Sequence, residues 1–170
     1  MITKRKLAVL AAGAACAFAS PALADVLAEN GAWQAVSVKE NGDTVCVMSA
    51  APDKAEGDYA KRGDAFVIIS HRPAEKRFGE ISVQAGYDYQ SGSQVIVTID
   101  GAKTFKLFTK DGYAWAYDAD GDRDLIRAMR GGSSMVVKGT SSRGTQTTDT
   151  YSLSGFTATS KAIDQACGVK

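Results

Sequence analysis

Val95-Ile-Val-Thr-Ile-Asp-Gly-Ala-Lys-Thr-Phe-Lys-Leu-Phe-Thr-Lys-Asp-Gly-Tyr-Ala-Trp-Ala-Tyr117 decides the fold. It contains three runs, Val95 to Ile99, Thr104 to Thr109 and Tyr113 to Tyr117, separated by Asp100-Gly101 and Asp111-Gly112. Asp-Gly tolerates the positive φ that a tight hairpin turn requires, and β-branched and aromatic residues alternate on either side, so the stretch predicts a three-strand antiparallel meander.

The same period of two extends in both directions. Upstream, Trp33 to Lys39 and Thr44 to Met48 flank a Glu40-Asn41-Gly42-Asp43 turn; Ala65 to Ser70 is a continuous apolar run that reads as a strand buried on both faces; Glu80 to Gln84 follows. Downstream, Ser134 to Lys138 and Thr147 to Leu153 add two strands around a hairpin loop, Gly139 to Thr145, that carries Arg143. About nine short strands at this spacing predict an all-β antiparallel sandwich or barrel-like fold. Phe66, Ile68, Val97, Leu107 and Trp115 are the expected core. Two segments have helical periodicity. Asp122 to Arg130 carries acids in its first turn and ends at Gly131-Gly132, and Thr157 to Cys167 has Ala158, Ala162, Ile163 and Ala166 on one stripe.

The chain begins with a short cationic segment, Lys4-Arg5-Lys6, followed by the uncharged run Leu7 to Phe18 and then Ala22-Leu23-Ala24. This is the pattern of a cleavable secretory leader over residues 1–24, too short to span a bilayer, leaving a single β domain over 25–170 with no transmembrane segment. Cys16 invites a lipoprotein reading, but Gly13-Ala14-Ala15 lacks the large aliphatic residue such a site uses. Of 20 Lys and Arg, the leader carries three and no acid, so 17 cations face 19 acids in the remainder, a net charge of −2. That balance disfavours nucleic acid, whose binding rests on cationic surface. Lys61-Arg62 and Lys76-Arg77 read as solvated loop charges. Cys46 and Cys167 remain after cleavage, and an even pair in an oxidising compartment predicts a disulfide fastening the C-terminal helix to the strand at Thr44 to Met48.

The residues for catalysis are sparse. The lone histidine, His71, stands at the end of an apolar strand beside Arg72-Pro73 and reads as an exposed strand terminus with no nucleophile motif nearby. Two distant cysteines and one histidine cannot build a zinc site. Asp118-Ala-Asp-Gly-Asp-Arg-Asp124 has alternating acids, but Arg123 and Met129 stand where a calcium loop needs glycine and a bidentate acid, so Asp120 or Asp122 reads as a helix cap. No metal, cofactor or catalytic set is expected. Tyr113, Trp115 and Tyr117 share a face; packing in the core is the commoner use of such a stripe, and a partner platform is the functional one. With Arg143 they are the candidate partner-binding residues.

The C-terminal third has a recognisable pattern: Ala114-Trp115-Ala116, Val136-Val137-Lys138-Gly139, Ser142-Arg143-Gly144-Thr145, and Ser152-Leu153-Ser154-Gly155-Phe156 leading into the terminal helix. Together with Trp33 ahead of Cys46, it resembles the invasion-associated locus B family of exported proteins in Gram-negative bacteria. Ser152, Leu153, Gly155 and Phe156 are the most distinctive part. The resemblance implies a β-sandwich-like domain in the periplasm, at the outer membrane or outside the cell, and supplies no agreed active site or ligand. Many members carry a further cysteine pair around the segment that here reads Asp111-Gly112-Tyr113-Ala114; this chain has none there. The expected function is an exported, non-enzymatic module that binds an unidentified protein or envelope partner and is linked to host-cell interaction or envelope function, with a small-molecule or lipid carrier as the alternative and a hydrolase as a third reading.

Overall fold

A computed structural model describes residues 24–169; the leader and Cys16 readings fall on residues 1–24, all but Ala24 outside that range. Eleven strands form one antiparallel ladder: β1 (Asp25–Asn30), β2 (Trp33–Glu40), β3 (Asp43–Ala50), β4 (Lys54–Gly57), β5 (Phe66–Arg72), β6 (Arg77–Gln84), β7 (Gln94–Ile99), β8 (Lys103–Lys110), β9 (Tyr113–Trp115), β10 (Ser134–Thr140) and β11 (Gln146–Ser152). Helix α1 (Ala119–Gly131) lies between β9 and β10, and α2 (Phe156–Ala166) follows β11. The order across the ladder is β1-β2-β3-β5-β6-β9-β8-β7-β10-β11-β4, so the sheet is open, with β1 and β4 as its edges.

The expected meander is β7-β8-β9, with Val97 opposite Phe105 and Thr109 opposite Ala114. Asn41 and Asp100 adopt φ values of 52° and 50° at the first hairpin turns, the left-handed conformation their sequences favour. Inward residues of both halves of the ladder, Met48, Ile69, Ile81, Val97, Leu107 and Val137 among them, belong to one buried cluster. A ladder whose distant strands share one core must fold over on itself, which gives the sandwich-like arrangement.

Several expectations change. β1 and β4 are additional strands, both at edges. β5 alternates instead of being buried on both faces: Val67, Ile69 and His71 are inward and buried, while Phe66 and Ile68 are half-exposed on the other face. Trp115 likewise stands outside the core, because its strand neighbour Ala114 takes the inward position. In α2 the buried stripe is Phe156, Thr159, Ser160 and Ile163, and Ala158 and Ala166 face solvent. Small polar side chains can face inward here because each has a partner. Thr159 accepts from Asn30 Nδ2 and Ser160 accepts from Arg130. The expected bridge is present: Cys46 on β3 is bonded to Cys167 at the end of α2.

Ser152, Leu153, Gly155 and Phe156 form the clasp that joins β11 to α2. Phe156 is fully buried and meets Trp33 edge to face, with ring centroids 4.9 Å apart, and Trp33 Nε1 donates to the Ser152 carbonyl at 2.9 Å. Gly155 has φ 86°, and a Cβ there would stand 2.2 Å from the Asn30 carbonyl oxygen. Gly155→Ala is therefore expected to cost at least about 3 kcal/mol, combining left-handed strain with displacement of β1. Gly144→Ala has nearly the same φ, 83°, but open space around it, and should cost only about 1 kcal/mol. Urea midpoints of the two variants separate the two contributions.

Candidate functional site

Because Ala114 faces the core, its neighbours Tyr113 and Trp115 project from the outer surface of the sheet. Trp115 sits opposite Ser82 on β6 and Phe108 on β8. The chain leaves β9 after Trp115, and Tyr117 folds back so that its ring lies 5.5 Å from Phe108, its hydroxyl accepting from Gln94 Nε2 at 2.7 Å. Phe78, 44% exposed, and Tyr117, 59% exposed, leave much of their ring surface in water. With Trp115 and Phe108 they line an open groove of about 590 Å³ between β6, β8, β9 and the start of α1. Lys76, Arg77 and Arg123 stand around it, with Glu80, Asp118 and Asp122.

The structure thus brings Trp115 and Tyr117 together. Tyr113 is beside them, 5.8 Å from Trp115 between centroids, but outside the groove wall. Arg143 is elsewhere, on the turn between β10 and β11, lining a separate hollow with Tyr59, Arg62 and Tyr87. Phe78 and Phe108 were missed in the sequence because Phe78 stands alone in a polar stretch and Phe108 adjoins the inward Leu107, so neither marks an outer face until the sheet brings both to one groove.

The acids at the start of α1 have divided roles. Asp118 caps the helix, accepting from the Gly121 N–H at 2.8 Å, in place of the expected Asp120 or Asp122. Asp122 reaches across to accept from the Ile81 N–H at 2.9 Å. Burial pushes its carboxyl up to about 6, and the neighbouring acids Glu80 and Asp118 add to the shift. The native carboxyl therefore takes a proton below about pH 6, where the unfolded one stays ionised down to about 4. Ionised Asp122 costs stability at neutral pH, and that cost disappears as pH falls through this window. Asp122→Asn keeps the Ile81 contact and is expected to stabilise the fold by roughly 1 kcal/mol near pH 7, allowing for solvent screening of a half-buried group. The gain should shrink below about pH 6 and be gone near pH 4 in urea titrations.

His71 is the second correction. It is 3% exposed, not an exposed strand end. Its Nδ1 accepts from the Gly79 N–H at 2.8 Å, so the proton resides on Nε2, which donates to Asp164 on α2 at 2.9 Å. Burial holds its pKa below the usual histidine range despite that carboxylate. With both ring nitrogens engaged, the imidazole has no free lone pair with which to act as a base. Ser160, the hydroxyl nearby on α2, accepts from Arg130, and Cys167 is oxidised.

The invasion associated locus B (IalB) protein family matches the chain over residues 33–164. The chain belongs to the IalB family. A crystal structure of invasion associated protein B from Bartonella henselae has the same fold, with a TM-score of 0.56 at 15% identity, covering 85% of this chain and 96% of that one. No curated protein matches it in sequence. Residues 33–164 run from the buried Trp33 of the clasp to Asp164, the α2 acid bound by His71, so the IalB match takes in two of the contacts that seat the terminal helix on the sheet, Trp33 to Phe156 and His71 to Asp164. Among the described residues of this IalB-family chain, no helix is long and apolar enough to cross a membrane.

Proposed function

We propose that this chain is an exported, non-enzymatic domain, spanning residues 25–170, whose aromatic groove holds a protein partner at the cell envelope. The observation that carries this reading is the group of solvent-facing rings, Phe78, Phe108, Trp115 and Tyr117, gathered on one surface within a rim of both charge signs. Exposed aromatics that line a depression supply anchor area at low conformational cost, and such residues dominate protein interfaces. A cationic leader pattern and the bridged cysteine pair favour the periplasm, the outer-membrane surface or the medium over the cytosol. The engagement of both His71 nitrogens favours binding over catalysis.

The test places a photo-crosslinking amino acid at Tyr117 in cells producing the protein, with Thr104, exposed on β8, as the control position. The expected result is a discrete adduct from position 117 alone, reduced at least about tenfold by Trp115→Ala, as for an interface anchor. Equal labelling from both positions, or no adduct, would remove the groove from consideration.

A further inference from the structure

A second hollow, of about 310 Å³, lies between β5, β6, α1 and α2. Ile69, Phe78 and Ile126 give it apolar walls, while Arg123, Arg127 and Arg130, spaced by four and three residues, bring three guanidiniums to one helical face beside it. Asp164 is the one acid in the lining, and Arg130 already holds it at 2.7 Å. His71 is neutral there, its two nitrogens taken by Gly79 and Asp164. Among the described residues, Arg123 and Arg127 pair only with Asp120 and Asp124, each on a solvent-exposed stretch of α1 and outside the hollow. Exposed i,i+3 pairs of this kind are weak, so either guanidinium can turn to a better anion at little cost.

An apolar pocket whose open side carries guanidiniums held only by weak, exchangeable surface pairs is complementary to one ligand class. We propose that this hollow binds a small anionic amphiphile, a carboxylate on an apolar chain, with the chain against Ile69, Phe78 and Ile126 and the head between Arg123 and Arg127. A carboxylate suits the planar guanidinium fork, which can grip both oxygens at once. A hollow of about 310 Å³ suits a ligand of roughly ten non-hydrogen atoms, the size of octanoate. Trp115 and Tyr117 do not line this pocket, so it stands apart from the partner groove even though Phe78 and Arg123 border both.

The test titrates octanoate into the full oxidised protein and follows backbone amides by NMR, with octanol and acetate as the uncharged and chainless controls. Saturable shifts centred on Gly79, Ile126 and Val169 are expected, with a dissociation constant on the order of 0.1–1 mM for a ligand this small. Octanol and acetate should bind at least about tenfold more weakly, and Arg127→Glu, at an exposed position that leaves the fold intact, should weaken octanoate by a similar factor. Trp115→Ala should leave octanoate binding unchanged. The proposal fails if no shift saturates, if octanol binds as well as octanoate, if Arg127→Glu has no effect, or if Trp115→Ala abolishes the shifts.

Discussion

Replacing Cys46 and Cys167 together by alanine is expected to lower stability by about 5 kcal/mol, because the bridge closes a loop spanning 121 positions. In the chain-entropy treatment, joining residues so far apart removes a large share of the conformations open to the unfolded chain. A domain of this size has about 5–15 kcal/mol in total, so the loss would bring the protein close to unfolding at physiological temperature. The native contacts around the bridge do not vanish with it. α2 would still be seated by Phe156 against Trp33, by Asn30 to Thr159 and by His71 to Asp164. The effect should therefore appear mainly through the unfolded state, and the urea dependence should steepen because a chain without the bridge exposes more surface when it unfolds. Reduction of the wild-type protein should reproduce both changes. A stability loss under about 1 kcal/mol, or an unaltered urea slope, would show that the bridge does not restrain the unfolded chain.

The sequence is legible where local chemistry and the global fold demand the same thing. Asn41-Gly42 and Asp100-Gly101 can turn the chain without help from elsewhere, and the hairpins they join appear as expected. β1 and β4 have no such signature. Asp25-Val-Leu-Ala-Glu-Asn30 lacks strict alternation, and Lys54-Ala-Glu-Gly57 is exposed throughout, so each becomes a strand only because a neighbour presents an open ladder. The edge at β4 is itself guarded by charge, with Lys54 paired to Glu56. Burial misled the reading wherever a polar residue had a distant partner. His71 and Asp164 are 93 positions apart, and Thr159 and Asn30 are 129 apart; no local pattern announces such pairs. In the candidate groove, Trp115 and Tyr117 were visible as a stripe, but which face they occupy was decided by Ala114, whose small side chain fits the core beside Val83 and Thr109.

Arg62 is the largest of these reversals and leads to the second major expected effect. Read as a solvated loop charge, it is buried instead, its side chain 5% exposed against 3% for Asp149 on β11. The guanidinium forks onto both carboxylate oxygens at 2.7 and 2.6 Å, and its Nε donates to the Ala85 carbonyl at 2.6 Å. Its planar face lies 5.1 Å from the Tyr87 ring centroid and 5.6 Å from that of Tyr59. Tyr87 is held in turn by a 2.6 Å hydrogen bond with Thr147, two residues before Asp149 on the same strand face. The pair thus ties the irregular stretch between β4 and β5 to β11. Asp149→Ala should cost about 3–5 kcal/mol, because it leaves a guanidinium out of water with no counter-charge, and Arg62→Ala should cost a similar amount by stranding the carboxylate. Arg62→Met with Asp149→Leu removes both charges while keeping volume, and should recover most of the loss. That recovery separates the cost of an orphaned charge from the worth of the pair itself, which urea titrations of the wild type, Arg62→Met, Asp149→Leu and the double variant in a double-mutant cycle would measure. If the single variants lose less than about 1 kcal/mol, water must reach the guanidinium, and the fork would be a surface contact of small value. If the apolar pair restores stability but protease then cuts at Lys61, the charges serve chiefly to fix where this stretch lies on the sheet, a specificity that apolar contact alone does not impose.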